Sequence, residues 1–141
     1  ALTVSDIDAL TNAIRSESVE KEFDLNSDGM VDAHDRDVWV TDIKKTWYGD
    51  SNLDGHFDTA DLVSVFKFDQ YEDSFAGNST WTSGDWNGDG EFDSGDLIVA
   101  FKDGGFESGQ RTAAHAVPEP APLVWLALGS VGLVRRRSVS A

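Results

Sequence analysis

Hydrophobic residues recur at helical spacing in four short stretches of this chain, and polar turns separate these stretches. The first two predict amphipathic helices over residues 5–16 and 34–47. Their apolar stripes are formed by Ile7, Leu10, Ile14, Trp39, Ile43 and Trp47. Two shorter helices are predicted after residues 61 and 96, and the glycines at 104–105 end the last one. The pattern therefore predicts a small, mostly α domain.

The last two helices belong to an internal repeat. Residues 49–73 align without gaps on residues 84–108, and about half of the positions are identical. A related acidic stretch at 24–35 precedes the second helix. The intervening residues 75–84 are too rich in Gly, Ser and Thr to form a helix. Each unit is therefore predicted to be a loop followed by a helix, rather than a helix, a loop and a helix.

Acidic side chains are concentrated in three twelve-residue segments: loop one (24–35), loop two (50–61) and loop three (85–96). Half of the 26 acidic residues lie in them. Each loop has oxygen donors at positions 1, 3, 5, 7, 9 and 12, the spacing with which such a loop surrounds Ca²⁺, position 7 contributing its backbone carbonyl. The predicted ligands are Asp24, Asn26, Asp28, Met30, Asp32, Asp35, Asp50, Asn52, Asp54, His56, Asp58, Asp61, Asp85, Asn87, Asp89, Glu91, Asp93 and Asp96.

Two further loop positions fit calcium binding. Position 6 needs a sharp turn with positive φ, and it is Gly29, Gly55 and Gly90. Position 8 is apolar and β-prone, and we expect the position-8 residues of two loops to pair as a minimal antiparallel bridge. Asn, Asp and Gly also favour simple turns, but three loops with one pattern indicate about three calcium ions. Magnesium fits less well, because it prefers octahedral geometry with several retained waters.

The composition of the chain excludes several classes of partner and activity. With a net charge of −15, the chain lacks the clustered Lys and Arg that bind phosphates, so no nucleic-acid partner is expected. It has no cysteine, which excludes disulfides and thiolate metal sites. No nucleophile–base set is visible, so we predict that the domain is not an enzyme.

Trp39 and Trp47 are predicted core residues, whereas for Trp81 and Trp86 a sugar-stacking role stays open. Bound metal would help to stabilise so small a core.

The loop pattern Asp-x-Asn-x-Asp-Gly-x-apolar-Asp-x-x-Asp-Leu, preceded by glycine in loops two and three, resembles the type I dockerin repeat. The resemblance is clearest over 49–66 and 84–101. It implies a dockerin/EF-hand-like, calcium-folded domain over 23–108, after a lead-in at 1–22. Many dockerins bind cohesins, so the alternative function is a cohesin-binding docking module of a larger extracellular polysaccharide-degrading enzyme. A typical dockerin has two loops, and its hydroxylated pair at positions 10 and 11 is missing here.

The C-terminal part of the chain has a different character. Residues 109–117 are predicted to be a linker. The tail, 118–141, contains an apolar run of 14 residues and then three arginines. As a helix this run would span ~21 Å, less than the ~30 Å hydrocarbon core. Together with Val-Pro-Glu-Pro at 117–120, it resembles a PEP-CTERM sorting signal. That resemblance implies an exported bacterial protein, at the cell surface or extracellular, transiently membrane-anchored by a hydrophobic tail helix and handled by a sorting protease.

Overall fold

The structure is a computed structural model that describes residues 1–112. No strand occurs among these residues, so the predicted mostly α class is confirmed. Short 3₁₀ turns connect the helices, and α2 continues directly into a π-helical turn. The helices are α1 (Val4–Arg15), α2 (Ala33–Asp37), α3 (Thr59–Phe66) and α4 (Ser94–Lys102), the π turn is Val38–Ile43, and the 3₁₀ turns are Lys21–Phe23 and Trp81–Ser83.

The predicted tail at 118–141, with its anchor helix, lies outside the described residues, as does most of the predicted linker at 109–117. Within residues 1–112, no helix is long and apolar enough to cross a membrane. The structural findings below therefore concern the domain that precedes the tail.

Helix α1 forms where the sequence predicts it. The Thr3 backbone N–H donates to Asp6 Oδ2 at 2.7 Å, which satisfies one of the free groups at the helix N-terminus. Ile7 and Leu10 are buried and contact the central core. The lead-in at 1–22 is thus part of the same compact unit as the loops, Ala1–Arg111.

The second helix is shorter than predicted. The π turn ends at Ile43, and Lys45 has a left-handed backbone with a φ of 58°. In the π turn each N–H donates to the carbonyl five residues earlier, rather than four as in an α-helix; Lys44 N–H, for example, donates to Trp39 O at 2.8 Å. This change of period rotates the side chains that follow. Trp39 is buried, but Ile43 is 44% exposed and Trp47 lies beyond the helix. The predicted helical stripe is therefore wrong after Trp39.

Two isolated parallel bridges join the repeats. Phe57, at position 8 of loop two, pairs with Phe106, and Phe92, at position 8 of loop three, pairs with Tyr71. The residue after each partner donates its N–H to the phenylalanine carbonyl at 2.8 Å. Positions 71 and 106 are equivalent in the repeat, so each loop is bridged by the segment that follows the helix of the other. The predicted antiparallel bridge between position-8 residues is wrong.

An aromatic core connects the position-8 residues of loops two and three. Trp86 lies between Phe57 and Phe92, with its ring centroid 6.0 Å from each. Trp81 and Trp86 are only 1% and 0% exposed, so neither can stack on a sugar at the surface. The core is formed by Ile7, Leu10, Trp39, Val40, Tyr48, Leu53, Phe57, Val65, Trp81, Trp86, Phe92 and Ala100. The domain thus has a hydrophobic interior that supports the loops.

The compact unit extends past helix α4. Gly104, with a φ of 83°, follows the helix end, as predicted. Beyond it, the indole N–H of Trp47 donates to the carbonyl of Gly109 at 2.8 Å. The guanidinium of Arg111 lies 4.0 Å from the Trp47 ring centroid and forms an ion pair with Asp103. The first residues of the predicted linker are therefore held against the domain.

Candidate metal centres

Each loop begins with an aspartate whose carboxylate closes a turn onto the loop backbone. In loop two, Asp50 accepts hydrogen bonds from the N–H groups of Asp54 at 3.1 Å and Gly55 at 2.8 Å. In loop three, Asp85 accepts the equivalent bonds at 3.0 and 2.8 Å, and Asp24 does so in loop one. The position-6 glycines have φ values of 87°, 94° and 87° in loops one to three, so the predicted turn is confirmed.

The last aspartate of each loop is buried, and its carboxylate accepts hydrogen bonds from backbone N–H groups near the start and near the end of the loop. In loop three, Asp96 Oδ1 accepts the N–H of Trp86 at 2.8 Å, and Oδ2 accepts the N–H of Asp93 at 2.9 Å. Asp35 and Asp61 make the equivalent contacts. These bonds to backbone N–H groups compensate for part of the cost of burying each carboxylate.

The other predicted ligands form the remaining turns of the loops. The position-3 asparagine accepts the N–H of position 5 at 3.0–3.1 Å. The position-7 residue donates its N–H to the position-5 carboxylate at 2.9 Å. The position-9 aspartate caps the following helix. These residues are Asn26, Asn52, Asn87, Met30, His56, Glu91, Asp32, Asp58 and Asp93.

Loops two and three each bring three carboxylates together. Within each group, an oxygen of every member lies within 4.8 Å of the others. The members from positions 1 and 12 are buried, and the member from position 5 is exposed. Clustered carboxylate oxygens suit a hard divalent cation, so each group could hold a metal ion. The groups are Asp50, Asp54 and Asp61, and Asp85, Asp89 and Asp96.

Burial raises the pKa of several of these carboxyl groups. It raises the pKa of Asp96 to about 6, and the neighbouring charge of Asp85 adds to the effect. Burial also raises the pKa of Asp50, although a hydrogen bond from the hydroxyl of Thr46 lowers it in part. The pKa values of Asp61 and Asp85 are raised for the same main reason. A cation placed among such groups would favour their charged forms.

Loop one has the same turns but no such group. Among the described residues, its acidic side chains do not bring three oxygens within 4.8 Å of one another. Asp24 is half-buried and Asp28 is exposed. Val31, at position 8, takes part in neither bridge, whereas the equivalent Phe57 and Phe92 each do. Among the described residues, loop one therefore lacks the backbone bridge that loops two and three each have.

Sequence reasoning missed two side chains that contact the loops. The hydroxyl of Thr46 donates to the buried Asp50 carboxylate. Arg36 is buried, and its Nη2 donates to the carbonyl of Trp86 at 3.0 Å. A signal for Arg36 was available, because it lies three residues before Trp39 and so shares the buried face of the helix.

Comparison with known protein families, with curated proteins and with solved structures finds no match for this chain. The dockerin and PEP-CTERM resemblances therefore stay predictions. The case for metal binding rests on the residues of the loops and on their geometry.

Proposed function

We propose that residues 23–108 form a non-catalytic module that binds calcium and is stabilised by it. The observation that carries this proposal is that loops two and three each bring three carboxylates together, two of which are buried. Buried like charges repel one another, and a divalent cation would supply the charge that offsets this repulsion. Calcium suits the donor set better than magnesium because the loops offer many flexible oxygen donors.

In this proposal the hydrogen bonds of the chain prepare the loops for the ion. The position-1 and position-12 carboxylates are held by backbone N–H groups of their own loop. A carboxylate oxygen has more than one lone pair, so an oxygen that accepts an N–H can also ligate a cation. About three ions would bind, and loop one would be the weakest site because Asp24 is more exposed than Asp50 and Asp85, and its carboxylates form no group of three among the described residues.

The sequence patterns support a wider setting for this module. The loop pattern supports a dockerin-like domain, and the tail pattern supports an exported bacterial protein with a PEP-CTERM sorting signal. The domain would then work at the cell surface or outside the cell, after transient anchoring by residues 118–141. We expect Kd values of ~10⁻⁴–10⁻³ M, the range of extracellular calcium modules.

Removal of calcium tests the proposed function. At ~10 mM calcium such Kd values correspond to about 1.4–2.7 kcal/mol of stabilisation per occupied site. We therefore expect scanning calorimetry of the full chain to give a Tm several degrees lower in chelator than in calcium. Magnesium at the same concentration is the control and is expected to restore little of the loss. Identical melting curves with calcium and with chelator would contradict the proposal.

Docking to a protein is a second candidate function, and the outer faces of α3 and α4 favour it. Val63 and Phe66 on α3 are about half exposed, as are Ile98 and Phe101 at the equivalent positions of α4. We expect a cohesin-binding module to be retained on immobilised cohesin domains in calcium and released by chelator. Absence of retention in calcium would rule out cohesins as the partner, and the calcium proposal would be unaffected.

A further inference from the structure

Loop three is contacted by a buried arginine from outside the repeat. Arg36 directly follows Asp35, the last residue of loop one, and is only 4% exposed. Its Nε donates to the hydroxyl of Thr11 at 3.1 Å. Its Nη2 donates to the carbonyl of Trp86, position 2 of loop three, at 3.0 Å. The first loop–helix unit and α1 are thus connected to the backbone of the third loop.

The same guanidinium also lies against position 4 of loop three. A β-carbon on Gly88 would come within 2.8 Å of Arg36 Nη1, so the close approach depends on glycine there. Loop two has Leu53 at the equivalent position, with its side chain buried in the core. Positions 2 and 4 flank Asn87, the predicted ligand at position 3. A planar guanidinium with several fixed N–H groups is suited to holding such a backbone segment in one shape.

We propose that Arg36 is a positioning residue that holds the backbone of loop three in its metal-binding shape. This inference rests on the proposed binding of calcium by these loops. Groups that hold metal ligands in place commonly change metal affinity by about 10–100-fold when they are removed. The effect is specific to loop three, because the hydrogen bonds of Arg36 among the described residues go to Thr11 and Trp86, and none reaches loop two.

The direction of the effect separates positioning from charge. A positive charge beside a cation site repels the cation, so if charge dominated, removing Arg36 would tighten binding. If positioning dominates, its removal weakens binding. Arg15 is the matched control: it is exposed, and a β-carbon on Gly90 would be 2.8 Å from its Nη1. Among the described residues, no hydrogen bond joins Arg15 to loop three.

Calcium titration of the full 141-residue chain, followed by NMR, tests this inference. The amide N–H groups of Gly29, Gly55 and Gly90 donate to the position-1 aspartate of their own loops at 2.9, 2.8 and 2.8 Å, so they report the three loops separately. For Arg36→Met we expect the midpoint at Gly90 to rise about tenfold, with less than about a twofold change at Gly55. Arg15→Met is expected to leave the Gly90 midpoint unchanged or slightly lower it.

An unchanged or lower Gly90 midpoint in Arg36→Met would overturn the proposal. An equal rise at Gly55 and Gly90 would also overturn it, since that is the result of general destabilisation. If Arg36→Met does not fold, Thr11→Val serves instead, because it removes one acceptor of Arg36 and retains the guanidinium. It is expected to raise the Gly90 midpoint about two- to fivefold, and no change would count against the proposal.

The calcium proposal and the Arg36 proposal can fail separately. If no glycine amide of the unsubstituted protein responds to calcium, the proposed function is wrong. Arg36 is then tested without calcium by hydrogen exchange. Positioning requires that Arg36→Met accelerate exchange of the Gly90 amide more than that of the Gly55 amide, and equal acceleration would refute it.

Discussion

The glycine that precedes loops two and three is required by a side chain eight residues later. Gly49 and Gly84 have φ values of 102° and 115°, which non-glycine residues rarely adopt. A β-carbon on Gly49 would be 2.6 Å from the ring of Phe57, and one on Gly84 would be 2.5 Å from the ring of Phe92. The position-8 ring of each loop therefore lies directly on the glycine that precedes it.

Substitution of Gly84 should be more damaging than backbone strain alone explains. We expect Gly84→Ala to lower the free energy of unfolding by about 2–4 kcal/mol, because it combines a positive φ with overpacking against Phe92. Gly77→Ala is the control, since Gly77 has a φ of 69° but no atom within 4 Å of an added β-carbon. It should cost about 1 kcal/mol. Urea denaturation of both variants measures the difference, and equal losses would show that the ring contact is unimportant.

At the scale of elements, the sequence predicted the helices and turns whose backbone is determined by neighbouring residues. Helix α1 was predictable from its apolar stripe, and the turns of the three loops follow from Asp, Asn and Gly at fixed spacing. The helices after loops two and three were predictable from their apolar residues, and they begin earlier than predicted because the aspartate at position 9 caps each of them. In these segments, the residues that set the backbone lie within a few positions of one another.

Contacts between distant segments could not be predicted in the same way. Phe57 pairs with Phe106, 49 positions later in the chain, and nothing within loop two indicates this partner. The π turn after α2 replaces the regular helical period on which the stripe to Trp47 was based. The difference between loop one and the other loops also involves distant segments, because the partners Tyr71 and Phe106 that bridge loops three and two lie outside those loops, and Val31 takes part in neither bridge.

For the whole molecule, the raised carboxyl pKa values predict that a lower pH stabilises the calcium-free fold and reduces the additional stability gained from calcium. In the calcium-free folded state the pKa of Asp96 is about 6, above the ~3.9 of an unfolded aspartate. The folded state therefore binds protons more readily than the unfolded state, so its stability rises as the pH falls from about 7 toward about 4. With calcium, protons compete for the same oxygens, so the gain from calcium shrinks over that range.

Melting temperatures at about pH 7, 6 and 5, with and without calcium, check this expectation. We expect the calcium-free Tm to rise as the pH falls, while the difference between the two curves narrows. An Asp50→Asn, Asp96→Asn variant is the control, because it lacks two of the shifted groups and should show a weaker calcium-free pH dependence. A calcium-free Tm that falls between pH 7 and pH 5 would contradict the assignment.

The two bridges that join the repeats have a consequence for the origin of the domain by duplication. The segment that completes loop two, at Phe106, belongs to the second repeat, and the segment that completes loop three, at Tyr71, belongs to the first. A solitary copy would have no partner for its own phenylalanine unless it associated with a second identical chain. Tandem duplication places both partners of each bridge in one polypeptide, so each repeat supplies the segment that the other one needs.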